Sequence, residues 1–265
     1  MDKIKKISGS LASSGTGEPC TSQVLLPGIK PDLTDYSIIS QILKIRGTGK
    51  IPYFDLGLIG YSQAYDFQQK IFKMVQEGFF AGAILLLEHL PVITLGNNEN
   101  RNNLLVDEPG LKKQGIELVQ SNRGGDVTFH GPGQIVCYPV FGLSYFDKDI
   151  TSFVFKLEQI IIDVLEDYKI KGTRIEKLRG VFVDSGKIAS IGIRVKKWIT
   201  FHGFSFNINV NLDYFDNIIA CGLKDHLPVS LEKFLKSTVP VSNVKELIIE
   251  KFKNTFDIVI VKIYP

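Results

Sequence analysis

RGGDVTFHGPGQIVCYP, residues 123–139, is the stretch on which the reading of this chain turns. Glycines at 124, 125, 131 and 133 free the backbone from the limits that a Cβ imposes, so the segment can take positive φ and lie flat against a ligand. The apolar run over 134–138 reads as a buried strand that anchors this loop to a sheet. Asp126 stands beside Arg123 and is expected to pair with it or with backbone amides of the loop. A turn-rich connection between two strands is the plainer alternative.

Upstream, IPYFDLG from Ile51 reads as a short strand and marks where ordered structure is expected to begin. Ala64, Phe67, Ile71, Met74 and Val75 recur at helical spacing over 62–76, with Gly78 as the stop. Residues 83–88 form a compact apolar strand, residues 91–95 its expected hairpin partner, 97–103 a polar loop, and 116–120 a strand leading into Arg123. Downstream, Phe153, Val154, Leu157, Ile160, Ile161, Val164 and Leu165 form the apolar stripe of a helix over 150–168, with Lys156, Glu158, Asp163 and Glu166 off that stripe. A hairpin is expected around Asp184-Ser185-Gly186, joining 181–183 to 187–195. Phe204, Phe206, Ile208 and Val210 alternate as in a half-buried strand. A last helix carries Val244, Leu247, Ile248 and Phe252, before a strand over 257–263. With no internal repeat, strands and helices mix within one α/β domain over 51–265. Residues 1–50, with Lys3, Lys5 and Lys6, a Ser/Gly-rich stretch and Pro27 and Pro31, read as a flexible extension. Asp2, Glu18 and the lack of arginine before Arg46 argue against an organelle transit peptide.

The 265 residues are 44% hydrophobic, enough for a substantial core, and a formal charge of +3 is too weak to argue for nucleic acid. No apolar run approaches the roughly 20 residues that span a bilayer. Three scattered cysteines, Cys20, Cys137 and Cys221, support neither a disulfide framework nor a zinc site, and a reducing, cytoplasmic setting is the simpler expectation. The phosphate-loop, dinucleotide-loop and nucleophilic-serine motifs are all missing.

Cys221, in IIACGLKDH, has only Ala220 and Gly222 beside it, so little bulk guards the thiol. It is a candidate nucleophile able to form a thioester, although a lone cysteine more often packs as a small hydrophobe. Cys137, inside IVCYP, fits that second description. Lys187 follows a tight turn, where a solvated lysine is the commoner case. Its functional alternative is an ammonium that favours a neighbouring thiolate, or an amine that acts as a base. His130 and His202 each precede a glycine, in FHGPG and FHGFS, and without paired cysteines or an HExxH motif no metal is expected.

Three stretches together, RGGDVTFHGPGQIVCYPV at 123–140, GKIASIGIRVKKWITFHGFSFNINVNLDYF at 186–215 and ACGL at 220–223, closely resemble the lipoyl(octanoyl) transferase family. DLGLIGYSQAYDFQ at 55–68 and LLLEHLPVITLG at 85–96 resemble its opening strand, helix and hairpin. The resemblance implies a mixed sheet flanked by helices, like that of lipoate and biotin protein ligases. It also implies transfer of an octanoyl group from acyl carrier protein to a lysine of lipoyl-bearing domains in 2-oxoacid dehydrogenases and the glycine cleavage H protein, by a monomer needing neither ATP nor metal. On the family's pattern Cys221 carries the acyl group and Lys187 activates it. Substrate contacts fall on Arg123, Gly124, Gly125, Asp126, Val127, Thr128, Phe129 and His130, on Ser190, Ile191 and Gly192, and on Gly203, Phe204 and Ser205. Phe129 or Phe204 is expected to line an acyl slot walled by glycines 124, 125 and 131, and amides near Gly222 or in the loop to hold an oxyanion. Arg194, Lys196, Lys197 and Lys224 are candidates for a basic rim meeting acidic protein substrates. Ala220, where the family often has proline, and Asp126, where it often has glutamine, depart from the pattern without removing a reacting group. An ATP-dependent ligase of the same fold and a non-catalytic binder of carrier or lipoyl domains are the competing readings.

Overall fold

The computed structural model describes residue 33, residues 35–223 and residues 225–264. Cys20, Lys224 and most of the expected extension over 1–50 lie outside the described residues. The chain runs through α1 (Tyr36–Ile45), β1 (Ile51–Ile59), α2 (Tyr61–Gln76), β2 (Gly82–His89), β3 (Val92–Leu95), α3 (Glu108–Lys113), β4 (Glu117–Gln120), β5 (Thr128–His130) and β6 (Gln134–Phe141). It continues through α4 (Ile150–Asp167), β7 (Thr173–Ile175), β8 (Leu178–Val183), β9 (Gly186–Lys196), β10 (Ile199–Asn207), α5 (Leu231–Leu235), α6 (Val241–Phe256) and β11 (Ile260–Ile263).

A mixed sheet in the order β11-β1-β2-β6-β10-β9-β8-β7 forms the middle layer. β1 runs parallel to β11 and β2, and the remaining pairs are antiparallel. Alternate residues of the central strands enter two cores. Ala83, Leu85 and Leu87 of β2 with Val136, Tyr138 and Val140 of β6 meet α1 and α2 on one face. Ile84, Leu86, Ile135 and Cys137 meet α4 and α6 on the other. Burial on both faces is why these strands read as unbroken apolar runs. Each fully buried leucine or isoleucine stabilises the layers by about 1.5 to 3 kcal/mol.

A smaller sheet, β4-β3-β5, stands apart with its own core of Ile93, Leu95, Val127, Phe129 and Phe215. Here the structure departs from the expected hairpin, because β3 pairs with β4 and β5 rather than with β2. Both edges of β2 are already taken, one by β1 and the other by β6. The chain leaving β2 therefore has no free edge and crosses to a second sheet.

Two further departures matter. Ordered structure starts before Ile51: Asp35 caps α1 by accepting the Ser37 N–H at 2.7 Å, and Ile38, Ile42 and Ile45 are buried beside β1. Glu158, expected on the polar side of α4, is instead 4% exposed. Its carboxylate is satisfied from β7 and β8 rather than by water.

Candidate active site

The small sheet and the β8–β9 end of the large one enclose a cavity of about 460 Å³. Arg123, Gly124, Gly125, Asp126, Thr128 and His130 line it, as do Lys187, Ser190, Ile191, Gly192, Gly203, Phe204, Ser205 and Cys221. Residues from four separate stretches of sequence thus share one space. Val127 and Phe129 do not line it. Phe129 stacks on Tyr214 with ring centroids 4.9 Å apart and, with Val127, belongs to the small sheet's core. Alternation along β5 accounts for this, since Thr128 and His130 face the cavity and the residues between them cannot. Gly131 lies against the Phe129 ring rather than in the cavity wall.

Cys221 sits in a short 3₁₀ turn, Ala220–Gly222, with φ 56°. A left-handed conformation at a non-glycine residue costs about 1 to 3 kcal/mol and persists only where its surroundings impose it. Those surroundings are hydrogen bonds: the Cys221 N–H donates to Val127 O at 2.9 Å and the Gly222 N–H to Ile219 O at 2.9 Å. The polar loop over 97–103 completes the clamp. Asn103 Nδ2 donates to Asp126 Oδ2, the Asn100 N–H donates to Asp126 Oδ1 at 2.8 Å, and a Cβ on Gly222 would meet both Asn103 and Asp126. Asp126 therefore spends its oxygens on this neighbouring loop and not on Arg123. The amides of Cys221 and Gly222, considered for an oxyanion, are already engaged.

Lys187 Nζ lies 3.4 Å from Cys221 Sγ, and Ser190 Oγ lies 4.0 Å from the same sulfur. Lys187 is 7% exposed, so its ammonium meets the thiol out of bulk water. Its strand is strapped in place by the segment after Cys221: Lys187 N–H donates to Leu227 O at 2.9 Å and Val229 N–H to Lys187 O at 3.1 Å. Cys137 differs on every count. It is fully buried in β6, and burial pushes its thiol well above the ordinary value.

Arg123 is buried, its Nε donating to Thr94 Oγ1 at 3.0 Å, Nη2 to Thr94 O at 2.6 Å and Nη1 to Gly124 O at 3.1 Å. Burial draws the guanidinium below its ordinary value, while the neighbouring Cys221 charge pulls the other way. Three buried histidines are held neutral, His130 and His202 within range of the Arg123 charge and His89 packed against His130. Burial lowers His89 to about 4 and His202 to about 3, and takes His130 well below the usual imidazole value. Their hydrogen bonds fix tautomers. His89 Nδ1 donates to Ile59 O at 3.1 Å, so Nε2 accepts from the Tyr138 hydroxyl at 2.7 Å. Gln134 spends its amide nitrogen on Phe129 O and Asn207 Oδ1, so its Oε1 accepts from His130 Nδ1 at 2.7 Å.

Sequence reasoning missed Tyr61 and Tyr138 as cavity residues, with Lys177, Leu178 and Arg179. His202, noted in sequence as a histidine before a glycine, lines the cavity with φ 60° and is held by Asn122 and Gln68, partners distant in sequence. Arg194, Lys196 and Lys197 are exposed on or just after β9. No group of His, Cys, Asp and Glu among the described residues could hold a metal ion. No helix among them is long and apolar enough to cross a membrane.

Residues 60–253 match the family model described as the lipoyl protein ligase A/B catalytic domain. An octanoyltransferase of Desulforamulus reducens is 43% identical over 203 residues, which are 76% of this chain and 89% of that protein. One from a Thermoanaerobacter species is 44% identical over 204 residues, 77% of this chain and 89% of that protein. Among solved structures, lipoate-protein ligase A bound with ATP superposes with a TM-score of 0.68 at 17% identity, covering 80% of this chain and 88% of that one. A Thermoplasma acidophilum protein described as a putative lipoate protein ligase with bound lipoic acid gives 0.64 at 16% identity, covering the same shares. At such identities the structural likeness speaks for the fold, a large mixed sheet with helices on both faces.

Proposed function

The chain belongs to the lipoyl protein ligase A/B catalytic-domain family and within it is an octanoyltransferase, and we propose that it moves octanoyl from acyl carrier protein, through a Cys221 thioester, to a lysine of a lipoyl-bearing domain. The observation that carries the covalent route is the 3.4 Å contact between Lys187 Nζ and Cys221 Sγ in the wall of a cavity. An ammonium at that distance, screened from water, favours the thiolate that attacks a thioester carbonyl.

Both half-reactions balance on these two groups. The Cys221 thiolate bonds to the donor's carbonyl carbon, the carbon–sulfur bond to the carrier breaks, and the departing thiolate takes a proton from Lys187. Lys187, now neutral, receives a proton from the incoming lysine amine as its nitrogen attacks the Cys221 thioester. Cys221 leaves as thiolate beside a restored ammonium, ready for the next turn. The Ser190 hydroxyl, 4.0 Å from Sγ, is a side-chain donor within reach of the oxyanion of each tetrahedral intermediate. Phe204, Ile191 and Val136 supply apolar wall for the acyl chain.

A thioester relay keeps the activation of the donor, so the reaction runs without ATP and without a metal, on cytoplasmic carrier proteins. Incubation with octanoyl-acyl carrier protein and intact-protein mass spectrometry tests this. An octanoyl adduct should form on the wild-type protein and on Cys137→Ser, and be absent from Cys221→Ser. Adding a lipoyl domain, still without ATP, should discharge it. Transfer that appears only with ATP, or an adduct that survives Cys221→Ser, would overturn the reading.

A further inference from the structure

Lys187 reaches Cys221 from an irregular strand. The β8–β9 register slips between Val181, which faces Ala189, and Phe182, which faces Lys187, so Ile188 has no partner across the ladder. Bulges of this kind re-aim the side chains around them. Just before the slip stands Gly180, with φ 125°, a conformation that L side chains rarely adopt. A Cβ there would overlap Ala189 O and come 2.8 Å from Lys187 Cε, the carbon that bears the ammonium. The bare Cα of Gly180 is thus the wall against which the end of the lysine rests.

The N–H of Gly180, turned away from β9, donates to Glu158 Oε1 at 3.0 Å. Glu158 reaches it from α4 and is itself fixed: Arg174 Nε donates to Glu158 Oε2 at 3.0 Å, Arg174 Nη2 donates to Gln159 Oε1 at 2.9 Å, and the guanidinium lies 3.8 Å over the Phe155 ring. A carboxylate this deeply buried is costly without full hydrogen bonding, and here both oxygens are used. One of them holds the one backbone amide that sets the wall behind Lys187.

We propose that Glu158 is a positioning residue for the reaction, holding Gly180 so that Lys187 Nζ stays within reach of Cys221 Sγ. The proposal rests on the reading of Lys187 as partner of the thiolate. Loss of the carboxylate lets Gly180 and the bulge relax, and the lysine then loses its fixed place beside the sulfur.

Alkylation of Cys221 by iodoacetamide, followed by mass spectrometry of its peptide as a function of pH, tests this on the full chain. Lys187→Ala should slow alkylation at pH 7 by about tenfold through loss of thiolate. Glu158→Ala should slow it comparably and move the profile to higher pH. In a Lys187→Ala background, Glu158→Ala should add nothing, because it acts through the lysine. The double variant Glu158→Gln/Arg174→Leu, which removes both charges but keeps an oxygen for the Gly180 N–H, should recover most of the rate. Should Glu158→Ala fail to fold, Glu158→Asp, which withdraws the acceptor by one methylene, carries the same comparison. A Glu158→Ala profile superposing on wild type while Lys187→Ala is shifted would overturn the proposal and spare the Lys187–Cys221 pair. An equal loss in both backgrounds would also overturn it, since Glu158 would then support only the fold. An unshifted Lys187→Ala profile would overturn both readings.

Discussion

Acidification from pH 7 to pH 5 should weaken this protein well before its carboxylates titrate, and the buried histidines set the amount. His89 is fully buried and His202 is 2% exposed. Burial is the main cause in holding them at about 4 and about 3, with Arg123 adding to the effect on His202. An unfolded histidine titrates near 6.5. Below that pH the unfolded chain binds protons that the folded one refuses, so stability present above pH 6.5 is lost as pH falls toward the folded values. At pH 5 each group lies about 1.5 units below its unfolded value and still above its folded one. At about 1.4 kcal/mol per unit, each removes about 2 kcal/mol and the pair about 4 kcal/mol, and His130, which burial also takes well below the usual imidazole value, adds to that loss. A domain holds about 5 to 15 kcal/mol in total, so the drop is a large share of it. Urea unfolding at pH 7, 6 and 5, followed by circular dichroism, measures the loss. His89→Gln offers a donor to Ile59 O and an acceptor to the Tyr138 hydroxyl without titrating, and should reduce the drop by about 2 kcal/mol. Equal unfolding free energies at pH 7 and pH 5, or an undiminished drop in His89→Gln, would refute the assignment of these rings as neutral.

Gly203→Ala should destabilise the fold by about 3 kcal/mol or more, because the new Cβ would overlap the backbone oxygen of Cys137 and come 2.7 Å from Pro139 Cδ, neither of which can rotate away. A urea midpoint within error of wild type would show that β10 shifts more easily than its register with β6 and β9 suggests. Lys177→Glu/Arg179→Glu reverses the charge of two residues lining the cavity, where the proposed acidic carrier protein would present its acyl group. Transfer from carrier-borne octanoyl should fall several-fold and lose much of its salt dependence. Rates and salt slopes unchanged from wild type would assign docking to another face.

The legible parts of this fold were those whose periodicity is complete within one segment. The stripe of α4 and the apolar runs of β2 and β6 appear where the sequence puts them, within a residue or a few at their ends. The helix α1 was equally periodic, with Ile38, Ile42 and Ile45 four and three residues apart, but the Ser-, Gly- and Pro-bearing stretch before it masked the signal. The fate of β3 was not legible at all. A short apolar segment after a turn looks the same whether it pairs with the strand before it or crosses to another sheet, and what decides is whether an edge is free.

The site divides along the same line. The groups proposed to react, Cys221 and Lys187, belong to motifs of the family and could be named through that resemblance, whereas the groups that hold them are singular residues whose local pattern points elsewhere. Glu158 lies one position from Leu157 on a helix whose pattern assigns it to the polar side, and only the donation of the Gly180 N–H makes a buried acceptor there worthwhile. Asn103 belongs to a loop rich in asparagine that reads as solvated, yet its amide meets Asp126 beneath the nucleophile's turn. In both cases the chemistry-bearing residue keeps an unfavourable local geometry: a left-handed φ at Cys221, a slipped register at Lys187. At Lys187 the buried Glu158, on a different element, takes up the Gly180 N–H beside the slip, while at Cys221 the half-buried Asp126 ties the loop over 97–103 to the turn by accepting from Asn103 and Asn100. The left-handed turn at Cys221 and the slipped register at Lys187 are therefore each held by groups from other elements, which fix what the local sequence alone would let relax.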